Sequence, residues 1–457
     1  MRRQKNEIDM LHGPLTGKII SFALPIAASQ ILQQLFNTAD LAVVGRFASA
    51  DAMAAVGSNT PVIGLVICLF NGLATGASVL IGNMIGRGEK DRIRQAIHTI
   101  FTVALISGFF LIFFGMFASR QILLMMNAPE TVLPLAMRYL KLYFLAMPGI
   151  MLINFCGAIL RAKGDSRRPF YVLAASGCIN VLLNLFFVCI CGMDVDGVAI
   201  ATTISNLLGA GAIVWFLCHE EDPYRLSFRS LGVKKSDLWL MIRVGLPAGI
   251  QGMVFSLSNV VIQSAVNELG AVTVAGSAAG QTFEYLCLFV VTAFSQSTVA
   301  FTAQNYGAGD FERCKKVFRT ALVLSACSTM AFSALYWFGR GLFLQLFTDD
   351  PAVMAVAEIR MMWIVAPYVL LNTYEIPSSA LRGMGVSLVP AIITILGTCV
   401  LRVVYVHTIY AAGEPDYQRL MLIYPCTWVA TGIAVAITYF ISRRKRFAAG
   451  GYTGKKE

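Results

Sequence analysis

Apolar residues run along this chain in long blocks, separated by short polar segments that hold most of its charges. A helix crossing the hydrocarbon core of a bilayer needs about 20 mainly apolar residues. That ruler predicts twelve spans, at 16–45, 52–82, 95–118, 132–158, 169–192, 197–218, 238–266, 274–303, 316–338, 354–380, 388–411 and 419–441. Pro25, Pro61, Pro148, Pro247, Pro367, Pro377 and Pro425 fall inside them. Proline breaks water-exposed helices, but neighbouring helices in a membrane can satisfy the carbonyls it frees.

The polar joints repeat. "FALPIAASQ" (22–30) is echoed by "VGLPAGIQG" (244–252), "MIGRGEKDR" (84–92) by "NYGAGDFER" (305–313), and "LRAKGDSRRP" (160–169) by "LRGMGVSLVP" (381–390), all at an offset of 221 or 222. The predicted fold class is therefore all-α, a polytopic membrane protein whose twelve transmembrane helices form two six-helix pseudo-symmetric bundles. An N-lobe takes residues 1–218, a cytoplasmic linker 219–237, and a C-lobe with a basic tail 238–457. Six spans per half is an even number, so the halves are related by an axis along the membrane normal. Paired bundles of this kind suit alternating access, with the substrate site near the midplane.

Composition agrees with membrane insertion. Hydrophobic residues make up 57% and charged residues 13%, where soluble chains carry about 25% charged. Mean hydropathy is +0.69. The net charge of +11 is a matter of topology: the N-terminus and alternate loops hold 28 Lys and Arg, the opposite loops seven. Cytoplasmic loops carry that excess, so both termini are expected in the cytoplasm. No soluble stretch is long enough to gather these charges into a nucleic-acid surface. The eleven cysteines lack a CxxC pair and mostly sit in apolar runs, where they read as small packing residues. Glu7 and Asp9, followed by an apolar run far longer than a signal core, argue against a cleaved leader.

Polar residues inside the spans carry the candidate chemistry, because each costs insertion energy and must be paired or face a wet cavity. At 100° per residue, Gln30, Gln33, Gln34, Asn37 and Asp40 share an arc of about 120° on the first span. On the fifth, Ser176, Asn180 and Asn184 recur every four residues on one face. With Asp40 they could bind a proton or coordinate Na⁺ through oxygen. The eighth span aligns Gln281, Glu284, Tyr285, Thr292 and Ser295, and the tenth Tyr368, Asn372, Glu375 and Ser379. The duller alternative is that the amides glue helices together and that Glu284 and Glu375, near helix ends, snorkel.

Applying the offset maps Asn37 onto Asn259 but Asp40 onto Ile262, beside Gln263. Coupling chemistry is therefore expected in the first half, and substrate binding and gating in the second. With charges near the span ends counted with the loops, the membrane acids Asp40, Glu284 and Glu375 are opposed by Arg402 alone, which favours cationic or zwitterionic solutes. Phe283, Tyr285, Met253, Phe255, Tyr143 and Tyr374 could add apolar and cation–π surface.

The run "LPIAASQILQQLFNTADLAVVGRFASADAMAAVG", the GxG with acidic and basic residues after the second span, "LRAKGDSRRP" after the fourth, and their second-half echoes resemble the multidrug and toxic compound extrusion (MATE) family over nearly the whole chain. The resemblance implies a V-shaped exporter of organic cations and drugs in exchange for H⁺ or Na⁺, without a cofactor. It also implies a location in the plasma membrane and the bacterial branch whose ion site lies in the N-lobe. Asp40 in "FNTAD" matches that branch's helix 1 acid, and Pro25 its bending proline. Asn180 matches the fifth-span pattern, whereas Asn184 stands where the family often has Asp. Glu284 in "GQTFEY" matches a common acid of the eighth helix. The ion-coupling set is Asp40, Asn180 and Asn184, and the substrate-binding set Gln34, Asn37, Gln281, Glu284, Tyr285, Asn372 and Glu375. A metal is expected only as Na⁺ at Asp40 and Asn180. Small organic cations and the lipid bilayer are the expected partners of a monomer.

Two other readings fit less well. A flippase for a lipid-linked sugar would need cavity cations for its pyrophosphate, and Arg402 stands alone. A membrane-embedded enzyme would need clustered metal-binding acids, yet Glu220, Glu221 and Asp222 lie in the linker, where a solvated role is expected. No Walker A motif is present to bind ATP.

Overall fold

The computed structural model describes residues 7–47, 49–126 and 132–448. The basic residues Arg2, Arg3, Lys5, Lys455 and Lys456, counted in the charge asymmetry, lie outside them. The chain folds as α1 (Leu15–Phe47), α2 (Ala50–Arg87), α3 (Lys90–Met125), α4 (Leu133–Phe144), α5 (Met147–Lys163), α6 (Arg167–Asn184), α7 (Val195–Cys218), α8 (Lys235–Glu268) and α9 (Ala271–Gly307). It continues as α10 (Phe311–Phe338), α11 (Arg340–Gln345), α12 (Pro351–Arg360), α13 (Asn372–Gly383), α14 (Leu388–Thr394), α15 (Leu401–Tyr405) and α16 (Tyr417–Ala448).

Among the described residues, eleven helical stretches are long and apolar enough to cross a membrane, or twelve when the bent pair α4 and α5 counts as one. The expected single span at 132–158 is thus corrected: it bends by 45° between Phe144 and Met147 and runs on to Lys163. Pro148, in the first turn of α5, has no amide hydrogen for the preceding turn, and its ring excludes a straight continuation. The tenth predicted span breaks at the equivalent place, with a turn at Ala366 and Pro367 between a π-helical stretch, Met361–Val365, and a 3-10 turn, Tyr368–Leu371.

The other anchors of the repeat also have a structural cause. Gly88 and Gly309 have φ of 70° and 75°, Gly164 and Gly385 φ of 109° and 77°. All four sit just past helix ends in the left-handed region, which glycine enters without a Cβ penalty. A π-helical stretch after α6, Leu185–Ile190, has its counterpart in Val406–Tyr410 at the same offset.

The helices are inverted relative to a water-soluble bundle. On α3, Ile106, Phe109, Phe110, Phe113 and Phe117 are 53–81% exposed, while Ala104, Gly108, Leu111 and Gly115 are buried. A continuous phenylalanine face would aggregate in water, and lipid is its natural solvent.

Contacts divide the chain into two compact units, Ala28–Gly245 with the segment ending at Ile8, and Asp9–Ala27 with Leu246–Glu457. The first core gathers Ile81, Ile97, Phe144 and Phe155, the second Ile364, Tyr368, Tyr424 and Trp428. The division runs through α1 two residues after Pro25 and through α8 one residue before Leu246. It therefore departs from the expected lobes at 1–218 and 238–457, and the stretch 219–237 belongs to the first unit.

Side chains explain that placement. Glu220 is 4% exposed and takes ion pairs from Lys163, at 2.5 Å, and from Arg168. The solvated role expected for it is corrected: a carboxylate between two cations is held by them out of water. Asp222, 65% exposed, pairs with Arg94 at 2.9 Å. Further along, Ser227 N donates to His98 Nε2 and Lys234 N to Thr99 Oγ1, both at 3.1 Å.

Candidate functional site

In the first unit, Asp40 lies on α1 with Asn180 and Asn184 on the last turns of α6. Gly177 makes this possible: a Cβ there would fall 1.8 Å from Phe36 Cε2, so only glycine lets Phe36 seat against α6. One turn beyond that contact on α1 and two turns beyond it on α6, the polar groups meet. Asn184 Nδ2 donates to Asp40 Oδ1 at 2.5 Å and to Asn180 Oδ1 at 3.4 Å, and Asn180 Nδ2 donates to Thr202 Oγ1 of α7 at 3.3 Å. Asn184 is fully buried and Asn180 is 7% exposed. The π-helical stretch starts at the next residue, Leu185, and such irregular turns are frequent at functional sites.

This row carries one formal negative charge, and its acid–amide hydrogen bond is charge-assisted. Asn184 Oδ1 is buried without a partner. The row offers oxygen ligands from a carboxylate, two amides and a hydroxyl, a donor set that suits a proton or a hard cation. Among the described residues no cation pairs with Asp40, which is half-buried and accepts from Asn184. Tyr139 and Tyr143, with ring centroids 5.9 Å apart, stand within its electrostatic reach.

Other predicted members stay outside the row. Ser176 Oγ bonds back to Leu173 O at 3.2 Å. Gln34 and Asn37 are exposed on α1, and the Gln34 carbonyl accepts from Thr38 Oγ1 at 2.9 Å. Pro25 lies within α1, which stays helical through it.

The second unit holds its acids differently. Glu284 Oε2 accepts from Arg360 Nη2 at 2.7 Å and Nε at 3.2 Å, while Arg360 Nη1 reaches Ser277 Oγ at 2.7 Å. Arg360 is 3% exposed. Glu375 Oε1 accepts from Ser295 Oγ at 2.8 Å and faces Arg382 Nη1 at 3.5 Å, and Arg382 Nη2 donates to Gln251 Oε1 at 2.9 Å. The expectation that Arg402 alone opposes the span acids is corrected. Arg360, inside the predicted span 354–380 but counted with the loops, and Arg382, two residues beyond it, are buried in helices and neutralise Glu284 and Glu375.

Asn372, 1% exposed, bonds Ser325 Oγ at 2.5 Å and Thr329 Oγ1 at 3.3 Å, joining α13 to α10. Gln281 Nε2 donates to Tyr285 OH at 3.2 Å, and Tyr285 is 38% exposed. Ile262, the counterpart of Asp40, is buried in apolar core, and Gln263 bonds Asn267 Oδ1 at 3.0 Å.

Thr202, Ser277, Arg360 and Arg382 were not among the sequence candidates. Thr202 gave only the signal of a hydroxyl in an apolar span. The arginines gave one in their position, since each lies within a few residues of a predicted span end.

Comparison with known proteins agrees with this construction. The profile of the MatE family matches the chain twice, at residues 25–186 and 247–407, which is the offset of the repeat. The chain is 30% identical over 382 residues to the "Probable multidrug resistance protein YoeA" of Bacillus subtilis (strain 168), covering 82% of each. It is 27% identical to the "Probable multidrug resistance protein NorM" of Thermotoga maritima, over 83% of this chain and 82% of that one. A solved structure described as the outward-facing conformation of a multidrug resistance MATE family transporter shares the fold, with a TM-score of 0.87 at 23% identity over 98% of this chain and 99% of that one. Two matched repeats spanning most of the chain, with relatives that align over most of their length, make this protein a member of the MatE family of membrane transporters.

Proposed function

We propose that the chain exports amphiphilic organic cations and drugs from the cytoplasm across the plasma membrane, in exchange for H⁺ or Na⁺ taken up at Asp40. The names of the relatives support the substrate class, and one observation carries the coupling site. Glu284 and Glu375 are paired with arginines, whereas among the described residues no cation pairs with Asp40, which is held by Asn184. A half-buried carboxylate in that state gains most from a proton or small cation. An ion that binds one conformation better than the other shifts the balance between them. Asn180, Asn184 and Thr202 orient the carboxylate and supply further oxygens. Pro25, beside the place where α1 passes from one unit to the other, is the point about which α1 rearranges. In this reading the N-terminal half couples the ion, the C-terminal half contributes binding and gating, both termini face the cytoplasm, and the protein works as a monomer.

The test is ethidium transport by purified protein in liposomes under an imposed proton or Na⁺ gradient. Wild type responds to one gradient, and Asp40→Asn abolishes that response while retaining the wild-type unfolding temperature. Undiminished gradient-driven export by Asp40→Asn would overturn the coupling role, and a response to neither gradient in wild type would overturn the antiport.

A further inference from the structure

Arg402 lies on α15, between the π-helical stretches Ile395–Val400 and Val406–Tyr410, inside the apolar span Leu388–Tyr410. It is fully buried. Its Nε donates to Thr427 Oγ1 at 3.2 Å, and its guanidinium lies 4.1 Å from the Tyr424 ring centroid and 5.9 Å from that of Phe255. Nη1 and Nη2 have no hydrogen-bond partner, and among the described residues no carboxylate pairs with Arg402. The aromatic faces offset part of the cost of burying the charge, but leave both terminal nitrogens of a planar fork unspent. That fork fits two oxygens of a carboxylate or phosphate side by side.

The neighbourhood supplies donors and apolar surface. Trp428, one turn beyond Tyr424 on α16, is 2% exposed, and its Nε1 also lacks a partner. Its ring stands 5.3 Å from Tyr368 and 6.1 Å from Tyr424. Two acids of this unit are engaged elsewhere, Glu284 with Arg360 and Glu375 with Arg382.

The repeat sharpens the contrast between the halves. Phe255 stands at the position of Gln33, Ile262 at that of Asp40, and Leu401 and Tyr405 at those of Asn180 and Asn184. Where the first half sets a half-buried acid among amides, the second half buries a cation among aromatics. Arg402 itself stands at the position of Val181, so the two charges occupy different places in the repeat.

We propose that the second unit holds a binding site for an oxyanion carried on an aromatic or apolar body. The Arg402 fork takes the carboxylate or phosphate oxygens, and Tyr424 and Phe255 flank the body. This rests on the solute-transport reading above and widens its substrate class to anionic and zwitterionic amphiphiles. Because Arg402 is closed over, the ligand enters only when the surrounding helices part, as alternating access requires.

The test is binding of fluorescein, an aromatic carboxylate, and of ethidium, a cation, to the full-length protein in nanodiscs, read by fluorescence polarisation. Arg402→Met is expected to weaken fluorescein binding by about tenfold or more and leave ethidium binding unchanged. Arg402→Lys, which keeps the charge without the fork, falls between. Displacement by millimolar inorganic phosphate assigns the site to free oxyanions. Weaker fluorescein binding in phosphatidylglycerol than in phosphatidylcholine discs assigns it to lipid headgroups, and either result supports the proposal. Equal fluorescein affinity in wild type and Arg402→Met overturns it, as does equal loss of both dyes. Should Arg402→Met fail to fold, wild-type fluorescein affinity in Arg402→Lys overturns it instead. Retained fluorescein binding without gradient-driven transport would count against the antiport alone.

Discussion

Removing Glu284 separates a structural acid from a substrate-binding one. In Glu284→Ala the Arg360 guanidinium, 3% exposed, loses both hydrogen bonds to Oε2 and keeps Ser277 Oγ. Breaking a buried ion pair by deleting one member costs about 3–5 kcal/mol, because the remaining charge is left uncompensated. Hydrogen bonds between membrane helices average only about 0.6 kcal/mol, so the charge dominates. Glu284 is itself 15% exposed, which points to the lower end. About 3 kcal/mol shifts the unfolding equilibrium on the order of a hundredfold. Replacing both partners by apolar residues, Glu284→Leu with Arg360→Met, removes the orphaned charge and should return stability to within about 1 kcal/mol of wild type. The assay is unfolding in mixed detergent and dodecyl sulfate micelles, followed by tryptophan fluorescence, with ethidium export measured alongside. A Glu284→Ala protein that unfolds within about 0.5 kcal/mol of wild type yet loses export would refute the structural reading. So would a double variant less stable than either single one.

Three further outcomes follow from the packing. Gly177→Ala places a Cβ 1.8 Å from Phe36 and should cost about 1–3 kcal/mol by overpacking. Phe36→Leu should recover most of it, which a double-mutant cycle in the same unfolding assay measures. Asn184→Asp sets a second carboxylate against Asp40, and two such acids cannot both ionise cheaply. The site should then hold a cation more tightly, and the pH midpoint of proton-driven export should move upward; an unmoved midpoint would count against coupling at this row. Glu220→Ala leaves Lys163 with Glu7 and Arg168 with Asp165, so only the bonds to Glu220 are lost, and should destabilise the protein by about 1.5–3 kcal/mol. Limited proteolysis in the 219–234 stretch checks this, since cleavage there should accelerate.

Much of the fold was legible because a membrane span is a local property. Each helix satisfies its own backbone within one segment, so length and apolarity suffice to find it. The breaks were less legible. Prolines at 25, 61 and 247 lie in continuous helices, whereas Pro148 and Pro367 mark real turns, and the residue type is the same in every case. Asp40, Asn180 and Asn184 were found by spacing because they sit on two helices with regular periodicity. Thr202 was missed because nothing in α7 sets it apart from Thr203, which bonds backbone carbonyls instead.

The arginines draw the dividing line. Chain order alone determined the spans, the duplication and the loneliness of Asp40 relative to Ile262, all of which depend on residue type at a known distance along the chain. Whether an acid is free or spent is a different kind of fact. Glu284 and Arg360 are 76 residues apart and meet at 2.7 Å, and Arg402 reaches Thr427 yet finds no acid among the described residues. Hydrogen-bonded ion pairs form only at contact distance, so only the packing of one helix against another decides which charges cancel and which remain to act.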